Sequence, residues 1–92
     1  MTIKYRTKDG RADYEFSFEQ QRNGDWRAYI VSQPSYLGRS KSLNDTHRLK
    51  DDSRYYVCWT KPLRTIPDLK KVVALWADLT QRYIADGTPI TK

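Results

Sequence analysis

Residues 65–87, TIPDLKKVVALWADLTQRYIADG, form the one long helical pattern in the chain, and that pattern limits what the rest can become. At about 100° per residue, Leu69, Val72, Val73, Leu75, Trp76, Leu79, Thr80, Tyr83 and Ile84 share one broad arc. Lys70, Lys71, Ala74, Asp78, Gln81, Arg82 and Ala85 fall opposite. Thr65 suits an N-cap, Pro67 is tolerated in the first turn, and Asp68 sits at the positive end of the helix dipole. Gly87 is placed for the left-handed residue that ends a helix, and Pro89 blocks continuation. Asp78 and Arg82, four residues apart, read as an ion pair along the exposed side. A lone helix of this length is marginal in water, so its apolar arc needs a broad partner. The pattern predicts a helix over 66–86 with Trp76 and Tyr83 in the core.

The upstream residues supply that partner as strands. Ile3, Tyr5 and Thr7 alternate with Lys4, Arg6 and Lys8, the pattern of an edge strand over 2–8 guarded by lysines. Over 13–21, Tyr14, Phe16 and Phe18 alternate with Asp13, Glu15, Ser17 and Glu19. The Arg22-Asn23-Gly24 turn leads to a strand over 25–32, and two registers compete there. A two-residue turn sets Phe18 across from Tyr29. A three-residue loop with Gly24 left-handed sets Phe18 across from Ala28 and Phe16 across from Ile30. The second gathers one apolar face that includes Trp26, and a buried face is what fixes register. Residues 33–45, rich in serine and broken by Pro34 and Gly38, read as a surface loop. A short strand over 46–49, a turn through 50–53 and a last strand over 54–60 follow. Both sides of that last strand are fairly apolar, as in the middle of a sheet. The expected fold is α+β: an antiparallel sheet of four to five strands with one long C-terminal helix across one face. Tyr14, Phe16, Phe18, Trp26, Ala28, Ile30, Tyr55, Val57 and Trp59 are the expected helix-facing set.

At 92 residues this is one domain over 1–92 with a single modest core. Lys+Arg 17 against Asp+Glu 11 gives +6, a balance that favours acidic partners such as nucleic acid or an acidic protein surface. One cysteine, Cys58, excludes an internal disulfide, and with His47 the only histidine no Cys/His zinc site can form. No cofactor motif is present, and no metal ligand set. The opening MTIKYRTKDG has no apolar core of a signal peptide, and no run approaches ~18 apolar residues, so a cytoplasmic protein without a membrane span is expected.

The stretches THRLKDDSRYYVCWTKPLRT and VALWADLTQRYI, a tyrosine-rich strand ending in CW followed by an ALWAD helix, carry a resemblance. In its second half the chain resembles a group of short uncharacterised bacterial proteins. That resemblance implies a bacterial or phage setting and transfers no functional residue.

No motif names a reaction, so functional candidates come from surface chemistry. The helix-free face of the sheet is expected to show Arg27, Tyr29, Arg54 and Tyr56. Tyrosines among arginines suit a single-stranded nucleic-acid platform, rings for bases and guanidiniums for phosphates. They suit a protein interface equally, and Arg27 can simply pair with Glu15 or Glu19 across the strands. The loop beyond holds Tyr36, Arg39, Lys41, His47, Arg48 and Lys50 against Asp45 alone, and as a mobile basic loop it could grip a phosphate backbone. The leading expectation is a small non-catalytic binding module whose partner is nucleic acid or a nucleoprotein. The alternative is a protein–protein module (an inhibitor, immunity-type or adaptor protein, with a homodimer among the options). A third is a ribonuclease built on His47 with Asp51, Asp52, Lys50 or Arg54, although these spacings fix no acid–base geometry.

Overall fold

Five strands and two helices follow one another in the computed structural model, which describes residues 1–91: β1 (Thr2–Arg6), β2 (Asp13–Gln20), β3 (Trp26–Ser32), α1 (Leu43–Thr46), β4 (Arg48–Asp51), β5 (Arg54–Val57) and α2 (Ile66–Asp86). The strands make one antiparallel sheet in the order β1-β2-β3-β5-β4, and α2 lies across a single face, giving the expected α+β architecture. β1 is an edge and β5 is interior, as their side-chain patterns predict. No helix among the described residues is long and apolar enough to cross a membrane.

The hairpin between β2 and β3 adopts the register that buries one apolar face. Phe16 lies across from Ile30 and Phe18 across from Ala28, with Gly24 at φ +91° in the loop. Near the open end of this pair β3 carries an extra residue between Ile30 and Ser32, which leaves Val31 outside the pairing and exposed.

α2 is capped as its sequence dictates. The Thr65 hydroxyl accepts from the Asp68 amide, and Gly87 takes φ +80° with its own amide donating to the Tyr83 carbonyl. Trp76 is wholly buried and presents its ring edge-on to Tyr14 and Phe16, each centroid 5.9 Å away. The buried stripe runs through Leu69, Val72, Val73, Trp76, Ala77, Thr80, Tyr83 and Ile84. Leu75, expected inside, is 44% exposed. It lies about 100° to one side of Trp76 and Ala77 about 100° to the other, and the sheet covers the alanine side, where a small residue permits close approach.

Other expectations shift at the element ends. β1 stops at Arg6, where a turn begins: the Thr7 carbonyl accepts from the Gly10 amide and its hydroxyl donates to Asp9 and the Ala12 carbonyl. β5 stops at Val57, and beyond it the Cys58 amide donates to the His47 carbonyl. The strand expected over 46–49 starts instead at Arg48. Ser42 caps a single helical turn by accepting from the Asp45 amide, and His47 ends that turn in the left-handed region at φ 49°. The following turn is only Asp52 and Ser53, with Asp51 paired to Arg54. Tyr55 leaves the expected core set, since it lies against Arg48 and Lys50 rather than beneath α2.

Asp78 does not bind Arg82. Its carboxylate accepts from the Tyr5 hydroxyl at 2.9 Å and the Lys8 amide at 3.0 Å, tying the edge strand to the helix. Burial, then that hydrogen bond, push the Tyr5 hydroxyl up to about 12. The unfolded chain releases this proton first, near its ordinary value of about 10, so the contribution is full below that pH and is lost as pH rises through about 12. Burial pushes the Tyr14 hydroxyl in the same direction. Urea midpoints should therefore fall between pH 10 and 12. Tyr5→Phe should fall less steeply over the same range, and an identical slope would show that Tyr5 does not report the contact.

Candidate anion-binding groove

The residues singled out as one surface are divided by the sheet. Arg27, Tyr29, Arg54 and Tyr56 occupy the helix-free face, but they are engaged with one another. Arg54 holds Glu19 through two bonds, 2.7 and 3.2 Å, which hold the Glu19 carboxyl below its ordinary range. Arg27 donates to Asp51 at 3.2 Å and to the Tyr29 hydroxyl at 3.1 Å, and that hydroxyl donates to Asp51 at 2.9 Å. The Arg54 guanidinium lies 3.7 Å from the Tyr29 ring centre and that of Arg27 lies 4.4 Å from the Tyr56 ring. Tyr29 is left 3% exposed, and the half-buried Tyr56 has one ring face taken by Arg27.

Charge on this face cancels through the register. Lys4 stands across from Glu15, Arg6 from Asp13, Arg27 from Glu19 and Arg54 from Asp51. Four cations thus face four carboxylates, and the surplus of +6 lies elsewhere on the molecule.

The segment of residues 36–50 is docked against the end of α2. Tyr36 is buried in a second small core with Tyr83, Ile84 and Ile90, and the Tyr83 hydroxyl donates to the Ser40 carbonyl at 2.9 Å. Arg39 is spent on the end of α2. Its Nε donates to the Ile84 carbonyl at 3.1 Å and its guanidinium packs against Gly87, placing a cation at the negative end of a helix whose last turn has none. His47 lines a separate hollow with Asn44, Asp45 and Tyr83. Asp51 and Arg54 belong to the open-face network, so the acid–base grouping drawn around His47 is dispersed.

Arg48 behaves differently. The two-residue turn sets it across from Val57, on the helix side of the sheet, where it is only 8% exposed. Its Nε donates to the Thr46 hydroxyl at 2.9 Å and its Nη2 to the Lys41 carbonyl at 3.0 Å. The rings of Tyr55 and Tyr36 lie 4.1 and 5.1 Å from the guanidinium carbon. Thr46 is itself fixed from the core, because its carbonyl accepts from the Trp76 indole at 3.0 Å. Among the described residues no carboxylate pairs with Arg48. A desolvated cation normally has such a partner.

Beside it opens a groove of about 590 Å³. Ile30, Val31 and Pro34 give it apolar wall, Ser32, Gln33 and Ser35 give it polar groups, and Tyr36, Tyr55, Lys41 and Arg48 complete it. No aspartate or glutamate lines it. Lys50 stands close by, 5.7 Å from the Tyr55 ring. The structure therefore brings Tyr36, Lys41 and Arg48 together as expected, adds Tyr55 and the strand end of β3, and leaves Arg39 and His47 out. Among the described residues no cluster of His, Cys, Asp and Glu could hold a metal ion. Comparison of the chain with protein-family models, curated proteins and solved structures gives no match.

Proposed function

We propose that this protein is a small non-catalytic binding module for an anionic partner, nucleic acid or a nucleoprotein, and that the contact runs through the groove and the β4 edge. The observation that carries this reading is Arg48, buried and without a carboxylate in a groove that has no acid in its lining. A cation held in that state has its counter-charge to gain from a ligand. Lys41 and Lys50 extend the positive surface outward, and neither has an ion-pair partner among the described residues. We place it in a bacterial or phage setting, as the resemblance carried by the CW and ALWAD stretches implies, and expect it in the cytoplasm.

Replacing Lys41 and Lys50 together by alanine should weaken binding of short single strands of every sequence alike. The slope of log affinity against log salt should flatten by roughly 1.4, two phosphate contacts at ~0.7 each. Tyr56→Ala should leave both affinity and slope nearly unchanged, because its ring is already covered by Arg27. Fluorescence anisotropy across a salt series reads both, and an unchanged slope in the double variant would sink the reading.

The balanced open face favours one second reading, a protein partner on that side. Mixed charge around Tyr29 and Tyr56, with the exposed Leu49 across from Tyr56, has the make-up of a polar interface. Sedimentation velocity across a range of concentration tests its homodimer form, and a monomer at every concentration removes that form.

A further inference from the structure

We propose that the groove beside Arg48 takes a terminal phosphate monoester, at the end of a nucleic-acid strand or on a free mononucleotide, rather than an internal phosphodiester. This rests on the reading of the protein as a binder of anions. Of the five N–H donors of a guanidinium, Arg48 spends one on Thr46 and one on the Lys41 carbonyl, leaving three for a ligand. Two neighbouring N–H groups on one rigid plane match two oxygens of one tetrahedral anion.

Charge then selects the kind of anion. A phosphodiester carries one negative charge, whereas a monoester carries about 1.5 to 2 at neutral pH, its second proton leaving near pH ~6. Arg48 and Lys41 bring two positive charges to the groove and its lining brings no negative one, which balances the monoester. Size agrees with one anchored residue of a ligand. About 590 Å³ lies within the range that holds a single small ligand. The apolar wall of Ile30, Val31 and Pro34 offers surface to a sugar or base once the phosphate is anchored.

The test compares short labelled single strands phosphorylated at the 5′ end, at the 3′ end or at neither, at one salt concentration. A phosphorylated end should bind on the order of tenfold tighter, the worth of one or two added charge-assisted hydrogen bonds. Arg48→Gln and Lys41→Gln should each collapse that preference toward unity. Lys41 has an exposed side chain and lends Arg48 only its backbone carbonyl, so Lys41→Gln keeps the test alive if the arginine variant fails to fold. Unlabelled adenosine monophosphate as competitor distinguishes the sources. Displacement at the affinity of the phosphorylated strand assigns the site to a mononucleotide, and displacement tenfold weaker or more assigns it to a strand end; both support a monoester site. Tight binding that ignores end phosphorylation overturns this inference and leaves the binding module standing. No binding of any strand or of the nucleotide overturns both.

Discussion

Trp76→Ala should remove most of the domain's stability. The indole is wholly buried between Tyr14 and Phe16, and truncating such a ring costs ~3–5 kcal/mol. The Thr46 carbonyl also loses the indole N–H, and a buried acceptor left unpaired costs roughly 1–3 kcal/mol more. Small domains hold about 5–15 kcal/mol in total, so the variant should melt far below the wild type or show no cooperative transition. Trp76→Phe weights the second contribution more heavily, since it keeps an aromatic ring in the core while dropping the bond to Thr46. Because Thr46 in turn positions Arg48, Trp76→Phe should also weaken anion binding. Thermal melts followed by circular dichroism decide the matter, and a Trp76→Ala midpoint within a few degrees of wild type would contradict the core described here.

Arg48→Met is expected to separate stability from binding. In the free protein Arg48 gains two charge-assisted hydrogen bonds, roughly 1.5–3 kcal/mol each, and two ring contacts worth ~0.5–2 kcal/mol each. Against these stands the desolvation of an unpaired charge, several kcal/mol even after relaxation. The opposing terms are of like size, so a methionine of similar length should change stability by no more than about 1 kcal/mol. Anion binding should fall by 2 kcal/mol or more, roughly thirtyfold, as when one partner of a buried charge pair is removed. Wild type should also gain about 2.7 kcal/mol of stability at a hundredfold excess of ligand over its Kd, of which the variant should keep about 1 kcal/mol or less at the same ligand concentration. If Arg48 serves structure alone, the variant instead loses stability and keeps its affinity. Urea unfolding with and without a 5′-phosphorylated strand tells the two apart.

The parts of this molecule legible in its sequence are those fixed by local rules. The period of α2, its Thr65 and Gly87 caps and the β2–β3 register all follow from burying one apolar face, and each appears as expected. The zipped open face was within reach of the same reasoning. Once Phe16 is set across from Ile30, Arg27 falls opposite Glu19, and the alternation of Lys4 and Arg6 against Glu15 and Asp13 completes the cancellation. The single turn of α1 was also signalled, by Ser42 three residues before Asp45. The side taken by Arg48 was not. It depends on where that turn ends, on a left-handed His47 and on a two-residue turn at Asp52, and a slip of one residue anywhere would have put Arg48 on the other face. The docking of the 36–50 loop depends on Ile90, in a short C-terminal segment whose sequence has no period to read.

Chemical-shift mapping tests most directly whether the working surface is the groove or the open face. Titrating the labelled protein with a short 5′-phosphorylated single strand should move the amides of Ser32, Gln33, Ser35 and Lys41 and the side-chain Nε–H of Arg48. The signals of Arg27, Tyr29, Arg54 and Tyr56 should stay where they are. Shifts confined to those four, or no shifts at low salt, would contradict the assignment of the groove.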